Sequence, residues 1–150
     1  MANFTAAQAQ ALFDSLKSAA QGLALFQGVD THEPLNAPGN RLYCSIVLGP
    51  MRPVTSSGLA AVSGQITFDF HVWSSAMQKP YDAIDPEVLA VTASLMGVLS
   101  GELTLGGTVR NVELFSMTAQ PGYLEFEGKQ FRTMALTVPV VINDMWTEVA

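Results

Sequence analysis

The chain has 150 residues with a formal net charge of -6, and its mass of 16.0 kDa is that of one domain. Only 13% of the residues are charged while 49% are hydrophobic, against about 25% charged in ordinary soluble domains, so the composition excludes a disordered chain and implies extensive burial, including burial between subunits. A pI near 4.6 disfavours binding driven by contacts to phosphate, on nucleic acid or on anionic lipid.

The first predicted element is a helix from Thr5 to Gln21. Thr5 and Gln8 form a capping-box pair, Ala7, Ala11, Leu12, Leu16 and Ala19 recur at helical spacing, and Gly22 ends the run. Residues 23–33 hold a short strand, and the Pro, Gly and Asn residues of 34–40 make an ordered loop. Leu42 to Leu48 reads as an apolar strand broken by Gly49, Pro50 and Pro53.

Gln65 to Trp73 alternates cleanly, with Ile66, Phe68, Phe70 and Val72 on one face and Gln65, Thr67, Asp69 and His71 on the other. After Pro80 to Ile84, Asp85 is placed to cap a second helix, with Pro86 at its first position and an end near Ser100. No charge falls between Glu87 and Glu102, and the apolar residues cover most of the helix circumference. One sheet covers one side of such a helix, which predicts self-association around Val91, Leu95 and Val98. The uncharged run Val88 to Gly101 spans 14 residues, short of the ~20 that cross a bilayer, and predicts a buried helix.

Val109 to Met117, Leu124 to Glu127 and Phe131 to Ile142 read as strands, the last two joined by a type II′ hairpin at Gly128-Lys129. Met134, Leu136, Val138, Val140 and Ile142 share one face, and Pro139 favours an edge or a bulge. The order predicts a single α+β domain over 1–150, a mostly antiparallel sheet packed by two helices.

Candidate chemistry is sparse. Asp30-Thr31-His32-Glu33 is the densest titratable cluster, but adjacent side chains of an extended chain diverge and no third ligand is spaced for a metal. Asp69 and His71 share a strand face, as an acid–base dyad or as a plain cross-strand polar contact. Cys44 lies in an apolar strand as a small hydrophobe, and a lone cysteine without a basic leader predicts a reducing cytoplasm rather than export. Gly97 and Gly101 allow close approach of another helix or simply end this one, and Met145 and Trp146 serve a partner or the core. No nucleophile-elbow, zinc-protease or phosphate-loop pattern occurs. The sequence thus predicts no catalytic residue, cofactor or metal.

The charge is uneven. Residues 1–80 hold four basic and four acidic groups, and residues 81–150 hold three and nine.

Gly28-Val29, His32-Glu33-Pro34, Asn36-Ala37-Pro38-Gly39, the Ile66 to Val72 strand, Gln78 to Pro86, Gly106 to Val112, Gly122-Tyr123-Leu124 and Leu136 to Trp146 occur in that order over most of the chain. In that combination the chain resembles the tail terminator proteins of long-tailed bacteriophages, especially those of actinobacterial hosts. The resemblance implies a non-enzymatic virion protein, assembled in the host cytoplasm, that forms a ring, commonly of six subunits, on the head-proximal end of the tail tube. Such a ring ends tube polymerisation and meets the head connector, and DNA passes through it without specific binding. An acidic lumen carrying Glu102, Glu113, Glu125 and Glu127 fits that role. The rival readings are a small α+β enzyme with Asp69 or His71 as base, and another neck or head-closure component.

Overall fold

The capping box forms as its residues require. The Thr5 hydroxyl accepts from the Gln8 amide at 3.2 Å, and the Gln8 side chain accepts from the Thr5 amide at 2.9 Å, satisfying two of the free donors at the start of helix α1 (Ala6–Gln21). Leu12, Leu16 and Ala20 form its buried stripe. Gly22 caps the helix in helical geometry, and the chain reverses two residues later at Ala24, whose φ is 56°. The structure is a computed structural model and describes residues 4–34, 42–56, 61–75, 81–101 and 116–147. The predicted strand over Val109 to Met117 lies almost wholly outside them.

Five strands form one sheet among the described residues: β1 (Gly28–Asp30), β2 (Tyr43–Ser56), β3 (Ala61–Ser75), β4 (Thr118–Phe126) and β5 (Lys129–Thr147). Their order is β1-β2-β3-β5-β4, with every pairing antiparallel except β1 to β2. Helix α1 and helix α2 (Tyr81–Gly101) pack on this sheet, giving the predicted α+β architecture.

The alternation read in the sequence sets the layers. Ile66, Phe68, Phe70 and Val72 of β3 join Leu136, Val138 and Val140 of β5 beneath the helices, and Phe13 stands edge-on to Phe68 at 5.1 Å. Gln65, Thr67, Asp69 and His71 are half-buried on the opposite face. Trp73 departs from that polar row. It is buried edge-on to Phe131 at 5.7 Å and to Phe126 at 6.3 Å, and its indole N–H donates to Ser45 Oγ at 3.1 Å.

Several boundaries differ from the sequence reading: β3 and β5 are longer at both ends, and β4 begins at Thr118 rather than Leu124. Strand β2 continues through Gly49 and Pro50 because one extra residue is absorbed as a bulge between Leu48 and Met51. A Cβ at Gly49 would stand 2.9 Å from the Thr67 carbonyl oxygen, so the bulge needs glycine there. Helix α2 starts at Tyr81, leaving Pro86 inside it. Asp85 thus lies within the helix rather than at its cap, and its carboxylate accepts from Arg132 at 2.8 Å, which ties α2 to β5. The hairpin turns at Glu127-Gly128, with φ of 52° and 76°, since Phe126 pairs with Lys129. Two positive φ values make it type I′, not the II′ turn at Gly128-Lys129.

Pro139 lies on β5 beyond Thr137, where β4 pairing stops, which fits a residue without an amide donor. By length and apolar composition, Asp82–Ser100 matches a membrane span at 19 residues. One stripe of it packs against β3 and β5, as core helices of sheet proteins do.

Candidate functional site

Among the described residues the titratable groups do not converge. Asp30 accepts from the Tyr43 hydroxyl on the neighbouring strand, while His32 is exposed with Nδ1 2.7 Å from the Glu33 carbonyl oxygen. Asp69 accepts from the Thr137 hydroxyl at 3.3 Å across the sheet, so its carboxylate engages β5 rather than His71. Among the described residues no group of three or more His, Cys, Asp or Glu side chains is placed to hold a metal ion.

Cys44 is buried in the core, and desolvation pushes its thiol up to about 12. Burial also raises the Tyr43 hydroxyl above its ordinary value, with the Asp30 hydrogen bond and charge adding to the shift. Both groups keep their protons in the folded chain at pH values where the unfolded chain releases them. The folded state then binds more protons, so stability falls as pH rises above the ordinary thiol value of about 9 toward 12. Urea midpoints measured from pH 8 to 11 should fall, and Cys44→Ala should flatten the part that begins near pH 9. A Cys44 thiol that reacts rapidly with a maleimide at pH 7.5 without denaturant would contradict this burial.

The sites that remain are surfaces. Two of the three residues expected at a subunit interface face inward: Val91 is 6% exposed and Leu95 0%, both in the subunit's own core. Ile84, Val88, Val91, Leu95 and Leu99 fall at spacings of four, three, four and four, a single stripe turned to the sheet and α1. Val98 is half-buried at the border of that stripe. The outward face of α2 holds Asp82 and Asp85 in its first turns and then Pro86, Leu89, Ala90, Ala93, Ser94 and Gly97, with Leu89 65% exposed. A Cβ at Gly97 would meet nothing within 4 Å, so this glycine leaves open surface rather than accommodating a neighbour within the subunit.

A second surface had weak sequence signals. A groove of about 420 Å³ opens between the first turns of α1 and the far end of β2, β3 and β5, with a predominantly apolar lining. Phe13 and Phe68 form its inner wall, Met145 and Trp146 one side, and Leu48 and Met51 its rim, at 64% and 55% exposed. Met145 and Trp146 crowd Gly64, where a Cβ would overlap the Met145 sulfur. They thus serve the core and the groove together. Neither Asp69 nor His71 lines it. Leu48 and Met51 read in the sequence as the end of a strand and part of a break; the bulge joins them on one rim.

Of the acidic residues, Glu125 and Glu127 are exposed at the β4–β5 hairpin end. Glu102 and Glu113 lie outside the described residues. No protein-family model matches the chain, and no curated protein matches it.

Proposed function

We propose that the chain is a tail terminator: a structural subunit that assembles into a ring, commonly a hexamer, at the head-proximal end of a long-tailed phage's tail tube. In this role it stops tube growth, contacts the tail tube protein on one side and the head connector on the other, and lets DNA pass. Its location is the neck of the virion. The reading comes from the resemblance of its ordered sequence segments, and one observation on the fold supports it most.

That observation is the outward face of α2. A helix at a subunit surface ordinarily carries charged residues outside, yet this one has no charge between Glu87 and Glu102. Its Ser94 hydroxyl donates to the helix's own Ala90 carbonyl at 3.0 Å, and Ser100 donates to Gly97 at 3.0 Å, so these hydroxyls are satisfied without an outside partner. A face of this chemistry suits contact with protein more than with water.

Solution mass of the concentrated protein, alone and with its cognate tail tubes, tests the reading. Rings of uniform size that cap tubes are expected, and monomers in both settings overturn it. In assembled particles, reversing Glu125 and Glu127 to Lys should leave rings intact and slow DNA ejection, because a basic lumen holds phosphates. The defect should ease with added salt as screening shortens the attraction to about 10 Å at 0.1 M. Unchanged ejection by intact particles places these two residues away from the DNA path.

A further inference from the structure

We propose that the first turn of α2, Tyr81 to Asp85, is a latched segment: it is wound while Asp85 holds Arg132, and it unwinds as far as Pro86 when Arg132 is taken from it, leaving Asp85 to cap the shortened helix.

Asp85-Pro86-Glu87 has the make-up of a helix start, yet it lies inside α2. The Pro86 nitrogen carries no hydrogen for the Asp82 carbonyl, its ring crowds that carbonyl, and it disfavours helical geometry at Asp85. All three penalties vanish when Pro86 is the first residue of the helix, where its amide would be unpaired in any case. Asp85 then stands in the capping position, where a carboxylate accepts from the backbone amide two or three residues on, that of Glu87 or Val88. Beyond Pro86 the helix is fastened by Val88, Val91, Leu95 and Leu99, none more than 6% exposed, so the change stops at the proline.

Two contacts hold the turn wound. Ile84 is buried at 5% exposure, and Arg132 Nε donates to Asp85 Oδ1 at 2.8 Å while Nη2 lies 3.5 Å from Oδ2. Arg132 is held by the sheet independently of the helix: its Nη1 donates to the Gly122 carbonyl at 3.3 Å, and its guanidinium lies 4.3 Å from the centre of the Tyr123 ring. It stays in place when Asp85 leaves, so the helix turn is the moving part. The Asp85 side chain is 63% exposed, and an ion pair at such a site is weak and screened by salt. Anything that takes the place of that carboxylate on Arg132, salt included, releases the turn and brings Ile84 into water.

Thiol reactivity reads the opening. Ile84→Cys and Val91→Cys, made separately, place thiols at two buried positions of the same helix on either side of Pro86, and Cys44 is buried in the core. With a maleimide at neutral pH, the thiol at position 84 should react about threefold faster in about 1 M NaCl than in about 0.05 M, the scale of one exposed ion pair. Asp85→Asn, which keeps a capping side chain and removes the charge, should give the same acceleration at low salt, and Pro86→Ala, which lets the helix run through, should slow the reaction. The thiol at position 91 should respond to none of these. Equal acceleration at both positions means that the whole domain opens, and a thiol at position 84 indifferent to salt and to Asp85→Asn means that no latch exists; either result overturns the proposal. Where a double variant fails to fold by circular dichroism, the salt series on the Ile84→Cys chain alone decides.

Discussion

Val91→Asp is expected to unfold the subunit, whereas Leu89→Asp, two positions earlier on the same helix, should leave the fold intact and abolish assembly. Val91 is 6% exposed within the core and Leu89 is 65% exposed. A carboxylate at Val91 either loses its hydration or takes up a proton, at a cost of several kcal/mol. That is a large part of the roughly 5–15 kcal/mol that holds a domain folded. At Leu89 the charge stays in water, and surface changes of this kind shift stability by about 0.5 kcal/mol or less. Urea denaturation followed by circular dichroism reports the first effect, and light scattering at matched concentration reports the second. Equal urea midpoints for the two variants would contradict the orientation of α2, and rings from Leu89→Asp would remove this helix face from the interface.

The contrast marks where the sequence was readable. Strict alternation over Gln65 to Trp73 identified the core face of β3 because a strand has a period of two, leaving each residue only two sides to choose between. On α2 the same reasoning failed, since apolar residues surround the helix and periodicity no longer separates the inner stripe from the outer face. Val91 and Leu89 are equally apolar in the sequence. The packing of the helix against β3, β5 and α1 decides between them.

Local chemistry misled for a comparable reason. Asp85-Pro86 has the composition of a helix start, but Arg132, 47 residues later, takes up the Asp85 carboxylate. Gly49-Pro50 has the composition of a strand end, and the register with β3 turns it into a bulge. The groove was hidden by the same long-range dependence. It combines α1 with residues from β2, β3 and β5, so its lining meets only after the sheet has formed.

Phe68→Ala is expected to cost about 3–5 kcal/mol, as complete truncation of a buried aromatic ring typically does. The ring is 1% exposed and meets Phe13 edge-on at 5.1 Å, a contact that adds about 0.5–1.5 kcal/mol beyond the buried area. Phe70 supplies the matched control. It is equally buried two residues along the same strand face, but it does not line the groove. Phe70→Ala should therefore lower the urea midpoint by a similar amount. The milder pair, Phe68→Leu and Phe70→Leu, separates stability from assembly, since both variants stay folded at 25 °C. If the groove receives a second copy, Phe68→Leu changes the shape of the groove wall and weakens self-association beyond its loss of stability, while Phe70→Leu leaves association at the wild-type level. Sedimentation of both variants at one concentration reads the difference. Equal association would reduce Phe68 to a core residue with no part in a contact between copies.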